Sequence, residues 1–104
     1  MVEEQDIKLK RFLEKVRKKF DPEKVLLFGS RARGNHLESS DYDILIISEK
    51  FGGMNFRDRI IKAYELIDEP LNVEILCYTL EEFNEKSKEL CVVKKAAEEG
   101  ITLI

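Results

Sequence analysis

Tryptophan is absent from this 104-residue chain, histidine occurs once, and cysteine and proline occur twice each. Each scarcity removes a class of chemistry. Cys77 and Cys91 stand fourteen positions apart, without a Cys-x-x-Cys pair and with only His36 for company, so neither zinc nor a disulfide framework is indicated. Both read as buried free thiols. His36 lies in a polar stretch with no second histidine, which makes it a solvated loop residue rather than a metal ligand. No apolar run approaches the roughly 18 residues that a membrane helix needs. Residues 1–6 are too acidic and polar for a signal peptide, so a cytoplasmic protein is expected. Repeats, low-complexity tracts and linkers are also missing, and a single domain over residues 1–104 is expected.

What is abundant is charge, at 38% of residues, yet the net charge is only −3 and the pI about 5.3. That balance opposes unspecific nucleic-acid binding, which depends on neutralising phosphates. The basic run over residues 8–19 holds seven positive side chains, but Leu9, Phe12, Leu13, Val16 and Phe20 form a helical stripe through it. It therefore reads as a packed helix with a solvated basic face, which an acidic protein partner could use. Asp21-Pro22 ends it. Asn55 is placed to cap a second helix with Phe56, Ile60, Ala63, Tyr64 and Ile67 on its apolar side. Thr79-Leu80-Glu81-Glu82 has capping-box spacing, so another helix should start there, with Leu80, Phe83 and Leu90 among its apolar positions and a continuation through Val92 to Ala97. Gly100 reads as a stop before a short edge strand in Ile101-Thr102-Leu103-Ile104.

The chemistry is concentrated between these helices. Lys24-Val25-Leu26-Leu27-Phe28 reads as a buried strand arriving at a turn on Gly29. Ser30 can cap a short helix through Arg31, Ala32 and Arg33, with Gly34 ending it, and a phosphate could sit against the N–H groups of that turn. One of Arg31 and Arg33 is expected at the phosphate, with Arg33 preferred. After the turn-forming Glu38-Ser39-Ser40, a second strand runs through Tyr42 to Ile47. Asp41 and Asp43 alternate onto one face of it, about 7 Å apart at their backbones. Two Mg²⁺ ions about 3.5–4 Å apart would need that convergence and a third acidic ligand. Glu74, alone in the apolar run Leu71 to Tyr78, is the candidate. A buried sheet is expected around it, where a charge needs a partner or a metal.

Gly29-Ser30-Arg31-Ala32-Arg33-Gly34 followed by Asp41-Tyr42-Asp43 resembles the DNA polymerase β-type nucleotidyltransferases, specifically their minimal members, over nearly the whole chain. The resemblance implies an α/β (α+β) core, a small mixed sheet with helices packed mainly on one face. It also implies that Gly29 and Ser30 bind a triphosphate and that Asp41, Asp43 and Glu74 are catalytic and hold two Mg²⁺. The expected reaction moves AMP from ATP to a hydroxyl, and minimal members of the family pair as antitoxins with a helical HEPN-type partner whose tyrosine is the acceptor. Too few residues follow the expected sheet for a substrate domain, which is consistent with acceptor choice lying in a partner. Two other readings stand beside this one: a non-catalytic module that neutralises its partner by covering it, and an RNA-terminal nucleotidyltransferase, for which no aromatic-rich basic groove is seen.

Overall fold

A computed structural model describes residues 4–29, 41–88, 98 and 100–104. Helix α1 spans Glu4–Phe20, strand β1 Lys24–Phe28, strand β2 Tyr42–Ile47, a 3₁₀ turn Glu49–Phe51, helix α2 Phe56–Tyr64, strand β3 Val73–Tyr78, helix α3 Leu80–Lys86 and strand β4 Ile101–Thr102. The four strands form one sheet in the order β3-β2-β1-β4. β1 is antiparallel to β2 and β4, whereas β2 and β3 run parallel with α2 in the crossover, so the sheet is mixed as expected.

Alternation along the strands divides the apolar side chains between two faces. Val25, Ile44, Ile46, Val73, Ile75 and Cys77 meet Leu9, Phe12, Val16 and Phe20 of α1 and Ala63 of α2 in the main core. Leu26, Leu45 and Ile47 face the other way, against partly buried Phe28, Leu76, Tyr78 and Phe83. Among the described helices α1 and α2 take the first face, and only the short α3 reaches the second. Ser48 joins the layers by donating to Phe20 O at 2.5 Å, which ties the end of β2 to the end of α1. Helix α1 stops where expected. Asp21 takes a left-handed φ of 42° before Pro22.

The basic face of α1 is partly neutralised within the chain. Arg11 pairs with Glu69 at 2.9 Å and Lys15 with Asp68 at 2.5 Å. The Lys15 hydrogen bond holds the Asp68 carboxyl below its usual value. These pairs support the packed-helix reading of the run.

Helix α2 departs from the expected apolar stripe. It is capped by Asn55, whose side chain accepts from Asp58 N at 2.8 Å, but it ends at Tyr64, leaving Ile67 beyond it. Phe56 is about half exposed, while the charged Arg59 is buried. Its burial is made possible by partners: Nε donates to Met54 O at 2.9 Å, and Nη1 to Cys77 O at 3.3 Å. The two Nη atoms then grip Glu82 at 2.6 and 3.1 Å. Phe56 lies against the guanidinium, 4.6 Å from ring centroid to Cζ. Glu82 also closes the expected capping box, accepting from Thr79 N at 2.8 Å. A single carboxylate thereby fixes α3 to α2. Leu80 remains exposed at the start of α3, and Leu90, Cys91 and residues 92–97 lie outside the described residues. Cys77 is buried as expected, and burial pushes its thiol up to about 12.

The Arg59 hydrogen bond is the main reason that the Glu82 carboxyl sits below its ordinary value of 4.5. With the folded value lowered, the pair's stabilisation is full above the unfolded pKa and fades as pH falls through the folded one. Arg59→Met should lower the unfolding free energy by about 3 kcal/mol, the low end for a broken buried pair because Glu82 keeps some contact with water. Urea titrations should also show a shallower acid-side loss in the variant than in the wild type.

Candidate active site

The site is built at the end of the sheet where β1 leaves and β2 and β3 enter. Parallel register aligns Asp43 with Glu74, and antiparallel register aligns Asp43 with Phe28, the residue before Gly29. Residues aligned across neighbouring strands share a face, so Asp43, Glu74 and Phe28 lie on the second face, away from α1 and α2. Tyr42, between the two aspartates, turns the opposite way. It is buried, and its hydroxyl donates to Asp6 of α1.

Gly29 has a φ of +74°, which disfavours any residue with a side chain. A Cβ there would also strike the Asp43 carboxylate, lying 3.1 Å from its Cγ and closer still to Oδ2. The turn and the acid are therefore fitted to each other. Burial raises the Asp43 carboxyl above its ordinary value, and the charge of Glu74, a hydrogen bond with Glu74 and the charge of Asp41 all add to the rise.

Asp41 and Glu74 are thus both brought within electrostatic reach of Asp43, and Gly29 abuts Asp43. Ser30, Arg31, Arg33, Gly34 and His36 lie outside the described residues. The buried surroundings expected for Glu74 are not found. β3 is an outer strand among the described residues, and its second face is exposed at Glu74 and half-covered at Leu76 and Tyr78. Its carboxylate answers to Asp43 rather than to a closed core. Tyr64, read from the sequence as part of an apolar stripe, instead places its hydroxyl on β3, donating to Val73 O at 2.9 Å. Apolar periodicity carries no signal for that contact.

Among the described residues no three His, Cys, Asp or Glu side chains already form a cage for a metal ion. The donor chemistry fits a hard cation nonetheless: oxygen ligands with like charges side by side, Glu74 and Asp41 both raising the Asp43 carboxyl after burial has done so. Asp41, Asp43 and Glu74 are the residues that would hold it.

The nucleotidyltransferase domain family matches residues 9–103. The chain is 35% identical over 79 residues to the "Probable protein adenylyltransferase MntA" of Haemophilus influenzae, covering 74% of this chain and 69% of that protein. A crystal structure of a "putative nucleotidyltransferase" from Sulfolobus solfataricus superposes with a TM-score of 0.65 at 29% identity, over 94% of this chain and 80% of that one. BolA1 from Arabidopsis thaliana, with a TM-score of 0.58 at 23% identity over 78% of this chain and 98% of its own, shares the fold alone. The chain belongs to the nucleotidyltransferase domain family. Within it, the chain is a minimal nucleotidyltransferase related to MntA, and it is an enzyme of that class.

Two glycines separate backbone strain from the contact with Asp43. Gly53, at φ +80°, has open space where a Cβ would go. Gly53→Ala should cost about 1–2 kcal/mol through its left-handed backbone alone and leave Mg-ATP affinity unchanged. Gly29→Ala should cost more and abolish detectable Mg-ATP binding by calorimetry.

A raised folded pKa at Asp43 means that its protonated form favours the folded state. In metal-free protein this stabilisation is full below the ordinary Asp value of 3.8 and is lost as pH rises through the raised value. Asp43→Asn should therefore melt higher than the wild type at neutral pH without metal. Scanning calorimetry against pH should show the difference vanishing in acid.

Proposed function

We propose that the protein is a single-domain, cytoplasmic, Mg²⁺-dependent adenylyltransferase that moves AMP from ATP to a tyrosine hydroxyl of a helical HEPN-type partner, acting as its antitoxin. The observation that carries this reading is the contact of Gly29 with Asp43, beside Glu74: a left-handed turn without a side chain against an acidic pair. A turn of this kind leaves backbone N–H groups free for phosphate, and Ser30 and Arg33 follow it in sequence. The relative named as a protein adenylyltransferase supports the choice of a protein acceptor.

In the reaction, the acceptor oxygen forms a bond to the α-phosphorus as the bond from that phosphorus to pyrophosphate breaks. Mg²⁺ bound by Asp41, Asp43 and Glu74, in two ions as in the two-metal arrangement, would supply positive charge for the triphosphate and the leaving pyrophosphate. Asp43 or a metal-bound water would take the acceptor's proton. Gly29, having no side chain, lets the Asp43 carboxylate lie against the turn. Exposure of Glu74 leaves the acidic side of the sheet accessible to a large acceptor.

With Mg-ATP and the product of the neighbouring gene, mass spectrometry should find one or more additions of about 329 Da on a partner tyrosine, the mass of an AMP unit in phosphoryl transfer. Asp41→Asn combined with Asp43→Asn should remove both the additions and Mg-dependent ATP binding while the protein stays folded. Glu74→Gln should slow transfer by about 10²-fold or more. A partner that stays unmodified, yet is neutralised equally by the wild type and the double variant, would establish the non-catalytic binding module instead. Transfer onto RNA ends with an untouched partner would establish the RNA-terminal enzyme.

A further inference from the structure

β3 is an outer strand, and side chains of α2 meet the polar groups on its free edge. Tyr64 Oη donates to Val73 O at 2.9 Å, and the Ile75 N–H faces the same phenol oxygen. Val73 and Ile75 are the residues on either side of Glu74. In a parallel pair, alternate residues turn their backbone groups toward opposite edges. Asn72 O and Tyr78 O turn inward, to Tyr42 N at 3.0 Å and Ser48 N at 2.9 Å, so Glu74, in step with them, turns its own peptide groups toward β2. The outward groups of its two neighbours converge on one phenol. Farther along the same edge, Cys77 O is taken by Arg59 at 3.3 Å.

Nearness to the acidic cluster is independently visible. Burial raises the Tyr64 phenol above its usual value, the Ile75 N–H opposes this, and the charges of Glu74 and Asp41 both reach it. The hydroxyl is therefore close to two of the three carboxylates while it is bonded on the opposite side of β3.

The geometry points to Tyr64 as a positioning residue for the third carboxylate: by bonding to the carbonyl of Val73, the residue before Glu74 on the outer edge of β3, its hydroxyl sets where that carboxylate stands beside Asp43 and so tunes divalent-cation affinity. This rests on the metal-binding role given above to Asp41, Asp43 and Glu74. Groups that orient a metal ligand without touching the metal typically change affinity or activity by 10–100-fold when removed.

Tyr64→Phe keeps the ring and deletes only the hydroxyl. With Mn²⁺ alone as the probe, calorimetry should show affinity about tenfold weaker than in the wild type. Hydrogen exchange at the Ile75 amide should accelerate, and kcat should fall while KM for Mg-ATP stays within about twofold. In a Glu74→Gln background the same substitution should change Mn²⁺ affinity no further, because the two residues act through one ligand. Unchanged Mn²⁺ affinity in Tyr64→Phe despite faster Ile75 exchange would overturn the inference and leave Tyr64 as an edge cap. A full additional loss in the Glu74→Gln background would overturn it too. Wild-type protein that binds no Mn²⁺ would remove the metal reading and this inference together. Wild-type protein that binds Mn²⁺ but modifies no partner would remove only the acceptor assignment.

Discussion

Everything at the active end of the molecule depends on the parallel pairing of β2 with β3, which sets Asp43 and Glu74 side by side on one face. Two carboxylates in that relation repel, and that repulsion adds to burial, the larger cause, in raising the proton affinity of Asp43. Apolar side chains at these positions would avoid the repulsion. What makes the arrangement tolerable is the remainder of β2, where Ile44, Leu45, Ile46 and Ile47 are all at most 1% exposed. Four fully buried aliphatic residues anchor a strand whose first turn is electrostatically unfavourable. Strain at a site is commonly offset by the structure around it.

The division of labour between the two faces of the sheet follows from the same constraint. One face is closed by α1 and α2, and the main core sits there. The other carries the acidic cluster at one end and a smaller apolar group around Leu26, Leu45 and Ile47 at the other. Polar contacts from the closed face support the open one: Tyr42 reaches back to Asp6, and Ser48 to Phe20. The carboxylates can lie on the open face because the backbone that carries them is held from behind.

Much of this was legible in the sequence wherever the cause was local. The Thr79 capping box, the Asn55 cap, the stop of α1 at Asp21-Pro22 and the edge strand near Ile101 each depend on a few adjacent residues, and each was read correctly. The spacing of Asp41 and Asp43 was legible for the same reason. Arg59 was not, because the partner that permits its burial, Glu82, lies on another helix, 23 positions along the chain. Glu74 was chosen for a partly mistaken reason. A run of apolar neighbours suggested burial on both faces, but sheet order decides that, and strand order is a tertiary property that periodicity does not encode. The contact between Gly29 and Asp43 likewise required the antiparallel register of β1 and β2, which brings residues fourteen apart in sequence together.

Cys77 gives the fold a silent internal reporter. Its sulfur lies in the main core between α2 and the sheet, about 2% exposed, with the thiol pushed up to about 12. At neutral pH the reactive thiolate is then only about 10⁻⁵ of the population, so reagents that alkylate thiolates meet almost none of it in the closed molecule. Opening α2 away from β3 restores ordinary acidity and access at once. The rate at which this single sulfur is modified therefore measures how often the strand bearing Glu74 loses its helical cover.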